Sequence, residues 1–477
     1  MKSVSLLKGG LWITYATFVT RVFAFLSSLV LARLLQPADF GVIGIAYVFW
    51  SFFTLFTQDS AGSFIIYKGV DDPRYINTAY TISLLIGLVL GLGMVTASPL
   101  IARFFNEPAL TGILTAFAFN VLLSSANYVY AGVMTRKMQY QALANISLAG
   151  SVTRLLCTSG AALAGLSYWS FAIGDTASWL VNCGLTRHYC GQKFRFQIDP
   201  EVRSEVLAFC LGSTGSSFGL YVNFNIDNFT VGKLLGSASL GYYNLAYQLT
   251  MTASTIFSSV LNQLGMPIFA QLSDDKQQED ALFRVVEQTA FFAAPLFALI
   301  FLIADPQSVK FVFGEKWIPI CTVIPGLLVF AYFRVINSPL YSMLVAKGRP
   351  DINAKVNLQV APVAVLSFFV GAHQGGIVGV SLAAALVLGL GWTLYWWRVG
   401  CQKLGWSSKK FLLPCFIPIL LVIPGILISL NFPLWLKPFT FLLTYLGGVR
   451  VLVPKHFSRY QVILYQLANR LIKLRRS

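Results

Sequence analysis

Long apolar runs, broken by short charged or Pro/Gly-rich segments, follow one another along almost the whole chain. A helix that crosses a bilayer needs about 20 largely apolar residues. The runs are longer than barrel strands and lack their alternation of polar and apolar residues. The pattern therefore predicts fourteen membrane-spanning helices. They cover residues 9–31, 40–66, 76–101, 110–134, 142–165, 168–186, 206–231, 240–266, 289–309, 318–345, 356–371, 376–397, 411–430 and 434–449.

The lysines and arginines between these runs are distributed unevenly. Most lie in the segments that share a side with the N-terminus, and positive residues favour the cytoplasmic side. We therefore expect both termini to be cytoplasmic, with no extramembrane segment long enough for a separate domain. Leucines and other apolar residues recur at helical spacing among basic residues in 456–477, which predicts an amphipathic helix on the cytoplasmic leaflet.

An internal repeat relates residues 32–49 to residues 232–249 without a gap. Both stretches join the first and second helices of a six-helix set, so both sets enter the membrane from the same side. The fold class predicted is an all-α polytopic membrane protein, with two six-helix lobes related by a parallel repeat and two extra helices. The identical pairs are Leu34/Leu234, Leu35/Leu235, Ala38/Ala238, Gly41/Gly241, Ala46/Ala246 and Tyr47/Tyr247.

The repeat and the spans together predict five parts of the chain. These are an N-lobe at 1–190, a cytoplasmic linker at 191–205, a C-lobe at 206–398, two accessory helices at 411–453 and the tail at 456–477. Two facing lobes of this kind place a binding site between them.

Composition supports a membrane protein, because only 11% of the residues are charged and 56% are hydrophobic. A soluble domain carries about 25% charged residues. The net charge is +17, and the basic residues lie mostly between the apolar runs. Because no nucleic-acid-binding motif is present, nucleic acid is not expected as a partner. The seven cysteines form no CxxC pattern, and no P-loop is present. We expect no cofactor, with energy supplied by an ion gradient, the membrane potential or the substrate gradient.

Six ionisable residues lie well inside predicted spans, where each costs about 2.5–3.5 kcal/mol at the bilayer centre. The three arginines fall near one depth, which predicts a cationic cavity for an anionic substrate. The alternative is internal pairing between arginine and aspartate. For the aspartates, helix capping or packing competes with coupling to H⁺ or Na⁺. The six are Arg21, Asp59, Arg154, Asp175, Asp227 and Arg334.

Polar residues recur at helical spacing on spans of both lobes. Such stripes are typical of helices that line a wet cavity, and their side chains can bind the hydroxyl groups of a substrate. The candidate substrate-binding residues besides the arginines are Asn120, Asn127, Asn223, Gln248 and Tyr341.

Three stretches carry a resemblance to a known family. TRVFAFLSSLVLARLLQPADFGVIGIA (20–46), NIDNFTVGKLLGSASLGYYNLAYQL (225–249) and YSMLVAKGRPDINA (341–354) resemble signatures of Wzx-type polysaccharide repeat-unit flippases. These flippases belong to the MOP exporter superfamily, and exopolysaccharide or colanic-acid exporters are the subgroup most similar. The resemblance covers essentially the whole chain.

The resemblance implies two lobes facing a central cavity in a bacterial inner membrane. The implied substrate is an oligosaccharide on undecaprenyl pyrophosphate, flipped from the cytoplasmic to the periplasmic leaflet by alternating access. Polymerase and chain-length proteins of the same pathway are implied partners. Arg21 and Arg334 match cavity arginines of related exporters, whereas Asp59 and Asp227 match acidic positions of the family.

Two other functions remain as alternatives at this point. A drug or small-solute exporter of the same superfamily is expected to need an acidic cavity, which three central arginines disfavour. A membrane polymerase or ligase, which would be an enzyme, is expected to need a sizeable external loop with catalytic side chains. The predicted external segments are too short for such a loop.

Overall fold

The computed structural model describes residues 2–58, 61–272, 274–349 and 351–454. Asp59 and the predicted tail at 456–477 lie outside the described residues. Almost all of the described chain is helical. The helices are α1 (Lys2–Leu34), α2 (Pro37–Gln58), α3 (Ala61–Lys68), α4 (Pro73–Phe105), α5 (Ala109–Arg136), α6 (Tyr140–Leu163), α7 (Trp169–Cys190), α8 (Arg203–Gln271), α9 (Asp275–Ile303), α10 (Pro306–Val312), α11 (Ile320–Ala346), α12 (Asp351–Ala383), α13 (Trp392–Leu404), α14 (Ser408–Ser429) and α15 (Lys437–Leu452).

Helix α8 is a hairpin of two helices that join at Gly236, where φ is +82°. The Tyr243 hydroxyl donates a hydrogen bond of 2.9 Å to the Asp227 carboxylate, 16 residues earlier in the chain. A straight helix would separate two such residues by about 24 Å. The chain therefore folds back at Gly236, and a side chain there would be strained by the positive φ.

Helix α12 turns in the same way at Gly376, where φ is +55°. On either side of this turn, Gly371 and Gly379 bring their backbones so close that a Cβ on either would collide with the carbonyl oxygen of the other. The segment Asp351–Leu404 thus contains two of the predicted spans, which run through α12, a short π-helix and α13.

By length and hydropathy, nine helical segments in the described part of the chain could each cross a membrane. Counting the two arms of α8 and the two arms of the α12–α13 segment separately, and including α7 and α15, gives about fourteen helices. This confirms the predicted fold class of an all-α multi-pass membrane protein.

Helices α1 and α3 to α7 pack mainly within the α1–α7 set, whereas α2 packs most extensively on α8. Helix α8 also packs extensively on α11 and α12. Helix α14 packs against α9, and α15 packs against both α14 and α9. The Tyr445 hydroxyl of α15 fixes this contact by donating to the carbonyl of Phe291 at 3.0 Å. The exact residue limits of the predicted lobes stay a prediction.

The first turns of α8 are held by the N-lobe. Val206 and Cys210 are buried in a hydrophobic cluster with residues of α3 and α4. Outside the predicted spans, the Lys68 ammonium lies 2.7 Å from the Glu205 carboxylate. The hydrogen bond from this ammonium, aided by one from Tyr75, lowers the pKa of Glu205 below its ordinary value.

The two lobes touch most closely at two glycines that the internal repeat relates. A Cβ on Gly41 would lie 1.8 Å from the carbonyl oxygen of Ser237, and one on Gly241 would lie 1.8 Å from that of Pro37. Because Pro37 and Ser237 are also 200 residues apart, the two contacts are equivalent. The predicted repeat therefore appears in the structure as an approximate two-fold axis between α2 and the second arm of α8.

Replacing Gly41 or Gly241 with alanine is expected to destabilise the protein by about 1–3 kcal/mol, because the added methyl group would force two backbones apart. The midpoint of thermal unfolding in detergent measures the effect. Gly184→Ala is the matched control, since no atom lies within 4 Å of a Cβ built there. Equal midpoints for Gly241→Ala and Gly184→Ala would contradict the close contact.

Candidate functional site

The lobes are joined at the end where α1 ends and α2 begins, which we call the closed end. The Arg33 side chain donates from Nε to the carbonyl of Val312 at 2.7 Å and from Nη2 to the carbonyl of Phe311. The ammonium of Lys233, the repeat partner of Arg33, donates to the carbonyl of Phe104. Each cation thus caps the last turn of a helix in the opposite lobe, where the helix dipole favours positive charge.

Residues that follow α10 strengthen the closed end. The indole N–H of Trp317 donates to the carbonyl of Ala32 at 2.7 Å, and this tryptophan is fully buried. The Lys316 ammonium donates to the carbonyl of Leu35 at 2.6 Å. The C-terminal carbonyls of α1 therefore have partners from the other lobe rather than from solvent.

Behind the closed end lies a cavity of about 680 Å³. Side chains of α1, α2, α5, α6, α7, both arms of α8, and α11 line it. It therefore lies between the lobes, where the repeat predicted a site. Of the candidate residues, the cavity brings together Arg21, Arg154, Asp175, Gln248 and Arg334.

Arg21 and Arg334 form the cationic part of the cavity. Among the described residues neither guanidinium forms an ion pair, and the two repel each other electrostatically. The Arg334 guanidinium lies over the Phe224 ring at 4.5 Å and donates to the Tyr247 hydroxyl at 3.4 Å. These contacts orient Arg334. The Asp227 carboxylate attracts it electrostatically, but the described residues form no ion pair with it.

Arg154 is balanced by a carboxylate. Its Nε lies 2.5 Å from Asp175 Oδ1, while its Nη2 donates to the Tyr47 hydroxyl at 2.7 Å. Tyr47 in turn donates to Asp175 Oδ2 at 2.6 Å. The three side chains form a closed network between α2, α6 and α7 with no net charge. The alternative of internal pairing therefore describes Arg154, with Asp175 as its partner.

The cavity wall formed by α2, α5 and α7 is aromatic. Trp50 contacts Tyr47, Phe117 and Trp179 with ring centroids 6.3, 6.4 and 6.5 Å away. Two polar atoms of this wall, Trp50 Nε1 and Asn182 Oδ1, are shielded from solvent and have no hydrogen-bond partner in the protein. A buried polar atom without a partner costs about 1–3 kcal/mol. The wall therefore has hydrogen-bonding capacity that the protein itself does not use.

The other candidate residues lie away from the cavity lining. Asn120 and Asn127 are on α5, and Asn120 is 1% exposed inside the N-lobe. Asn223 donates to the carbonyl of Asn357 at 3.0 Å. Tyr341 is 40% exposed on α11.

Asp227 also lies away from the lining, and it is 3% exposed. Its carboxylate accepts from the Tyr243 hydroxyl and, at 2.7 Å, from the Asn228 backbone N–H. It thereby holds the two arms of α8 together. A coupling role for Asp227, Asp175 or Asp59 stays a prediction.

Sequence reasoning missed several residues of the aromatic wall. A signal for these residues is present in the sequence, because aromatic and polar side chains recur in a stripe on α7 at helical spacing. The pattern is less conspicuous than the ionisable residues of the spans. The stripe consists of Phe171, Asp175, Ser178, Trp179 and Asn182, all of which line the cavity.

With this geometry in place, a family comparison identifies the chain. The model of the family described as polysaccharide biosynthesis protein matches residues 30–322, which is more than half of the chain. The chain belongs to this family. This family agrees with the resemblance to polysaccharide biosynthesis proteins that the sequence carries.

Individual proteins are similar to this chain over a longer stretch than the family model. Lipopolysaccharide biosynthesis protein WzxC of Escherichia coli strain K12 is 23% identical over 438 residues, which cover 90% of this chain and 88% of that protein. Lipid II flippase MurJ in an inward closed conformation has a TM-score of 0.76 at 14% identity, over 93% of this chain and 99% of that chain. An inward-facing multidrug resistance MATE family transporter of the MOP superfamily has a TM-score of 0.57 at 14% identity, over 86% and 96%. These likenesses show that the chain has the fold of these two transporters.

Arg33→Ala is expected to loosen the closed end, because two helix-terminal carbonyls lose a cationic donor worth about 1 kcal/mol. Amide hydrogen exchange in residues 306–317 should then become about fivefold faster. Arg103→Ala is the matched control, since Arg103 is also a basic residue in a helix's last turn near this end. The same acceleration in both variants, or none in Arg33→Ala, would argue against the capping of α10 by Arg33.

Arg154→Ala is expected to lower stability by about 1–3 kcal/mol, since it leaves Asp175 largely buried without its cation, and partial exposure of Arg154 moderates the loss. The double variant Arg154→Ala with Asp175→Ala should regain part of this loss. Thermal unfolding of the single and double variants measures the coupling. Simple additivity of the two single losses would show that the ion pair contributes little.

Proposed function

We propose that this chain flips an oligosaccharide linked to undecaprenyl pyrophosphate from the cytoplasmic to the periplasmic leaflet by alternating access. Both termini are then cytoplasmic, and the closed end is periplasmic. The substrate serves the synthesis of an exopolysaccharide, O-antigen or capsule. Support comes from the family, from relatives such as WzxC and the flippase MurJ, and from the chemistry of the cavity.

The observation that carries the proposal is a pair of guanidiniums, those of Arg21 and Arg334, which line one cavity between the lobes and form no ion pair with any described residue. Two cations close together in a low-dielectric site are unfavourable unless an anion joins them. The planar guanidinium donates two parallel hydrogen bonds to phosphate oxygens and keeps its charge at all physiological pH values. A pyrophosphate offers both the charge and the oxygens for two such groups.

The surroundings of Arg21 favour a substrate that carries a lipid. Phe18, Val22, Phe25 and Leu26, the neighbours of Arg21 on α1, are all exposed. One helix therefore presents a cation to the cavity beside apolar side chains on its outer surface. A head group can bind inside while its polyprenyl tail stays in the bilayer.

In the proposed cycle, the pyrophosphate binds Arg21 and Arg334 and removes their mutual repulsion. The lobes can then approach on the cytoplasmic side and separate at the closed end. Arg154, which the sequence grouped with these two, is assigned a supporting role through its pairing with Asp175. Exchange of H⁺ or Na⁺ at Asp59, Asp175 or Asp227 resets the transporter.

Arg21→Ala and Arg334→Ala are each expected to reduce translocation at least about tenfold, because a charged hydrogen bond contributes about 1.5–3 kcal/mol. The measurement is flipping of labelled lipid-linked oligosaccharide in proteoliposomes, together with polymer export in cells. Membrane abundance should remain at the wild-type level.

Arg398→Ala is the matched control, an exposed arginine outside the cavity lining. Lysine at position 21 or 334 should restore activity only in part, since it cannot form the two parallel bonds. Wild-type flipping rates in both alanine variants would remove the pyrophosphate assignment.

A further inference from the structure

We propose that the aromatic wall of the cavity, formed by Trp50, Trp179 and Asn182, is a carbohydrate subsite that recognises the first sugars next to the pyrophosphate. The inference rests on the proposed function, because it assigns the sugar part of the same substrate. It is an assignment of specificity, whereas Arg21 and Arg334 bind the carrier that all such substrates share.

The first step of the argument is the division of charge. Arg21 and Arg334 have no ion-pair partner among the described residues, whereas Arg154 and Asp175 neutralise each other beside the aromatic wall. The wall of α2, α5 and α7 is therefore neutral, because the Asp175 carboxylate of α7 is balanced by Arg154 of α6. A sugar phosphate is divided in the same way, into a charged head and a neutral saccharide.

The second step is the chemistry of the neutral wall. Trp50 and Trp179 tilt towards each other at 53° with ring centroids 6.5 Å apart, and both line the cavity. An indole has an apolar face and a polar N–H. A pyranose ring has the matching pattern, with C–H groups on its faces and hydroxyl groups around its edge.

The third step is the pair of unsatisfied polar atoms. Trp50 Nε1 is a donor and Asn182 Oδ1 an acceptor, and neither has a partner in the protein. Buried polar atoms normally have one. A hydroxyl group can both accept from the indole and donate to the amide, so a saccharide satisfies this wall after a small side-chain adjustment.

The position of Asn182 depends on Gly150 of the neighbouring α6. A Cβ on Gly150 would lie 2.4 Å from Asn182 Oδ1. The glycine thus provides the space that the amide occupies, and Gly150→Ala would move the amide although Gly150 itself is not part of the cavity lining.

Two probes separate the sugar from the carrier. One is undecaprenyl pyrophosphate without sugar, and the other is the lipid-linked oligosaccharide fraction extracted from cells that lack this chain. Each is titrated against the full-length protein in nanodiscs, and bound lipid is quantified by mass spectrometry. Trp50→Phe keeps an aromatic ring and removes only the N–H, so it is the conservative variant. Trp179→Ala and Asn182→Ala remove a ring and an amide.

In Trp50→Phe, Trp179→Ala and Asn182→Ala, affinity for the oligosaccharide fraction is expected to fall about fivefold to tenfold, while affinity for the sugar-free carrier stays within about twofold. Gly150→Ala should behave like Asn182→Ala. Trp392→Phe is the matched control, because Trp392 also has a buried indole nitrogen without a partner but lies outside the cavity lining. It should leave both affinities unchanged.

An equal loss for both probes would overturn the subsite and show that the wall only supports the cavity. No loss beyond that of Trp392→Phe would overturn it as well. Failure of the proposed function has a different signature, in which the wild-type protein does not bind the sugar-free carrier or Arg21→Ala and Arg334→Ala bind it normally. A sugar-dependent loss at Trp50 in that case would still support the subsite.

Discussion

The structure depends on one close contact between the two lobes, where Gly41 and Gly241 each lie against the first carbonyl of the other lobe's helix. Only glycine permits backbones to approach this closely. The contact sets the approximate two-fold axis and brings the ends of α1 and of the first arm of α8 into reach of the opposite lobe. Arg33 and Lys233 can then cap helices across the interface. The helices diverge from this point, and the space between them is the cavity.

Divergence of the helices also determines where charge can be placed. Within the described part of the chain Arg21 and Arg334 form no ion pair, whereas Asp175 neutralises Arg154 and Tyr47 hydrogen-bonds to both groups. The three arginines therefore differ in their electrostatic surroundings. The aromatic wall then occupies the side from which net charge has been removed, and the cavity acquires two chemically distinct parts.

Much of this fold follows from the chain itself. The apolar runs predicted about fourteen helices, and the gapless match of residues 32–49 with 232–249 predicted the axis that Gly41 and Gly241 form. The shared cavity of Arg21, Arg154 and Arg334 was also predictable, because charge is costly in a bilayer. The partner of Arg154 was not, since the sequence does not reveal which faces of α6 and α7 meet. For the same reason the stripe containing Trp179 was missed, and Asn120 was placed in the cavity although it is buried within the lobe.

Three residues beyond Gly41, the two halves of the repeat carry different residues at equivalent positions that contact each other, Gly44 and Asn244. Gly44 has no side chain, and its counterpart Asn244 fills the space above it, with the amide nitrogen 1.9 Å from where a Cβ on Gly44 would be. Two asparagines could not both fit at this point on the axis. A homodimer of identical halves would have to place the same residue on both sides. Covalent fusion of the halves is thus what allows this interface to be symmetric in its backbone and unsymmetric in its side chains, and separate copies of one half could not reproduce it.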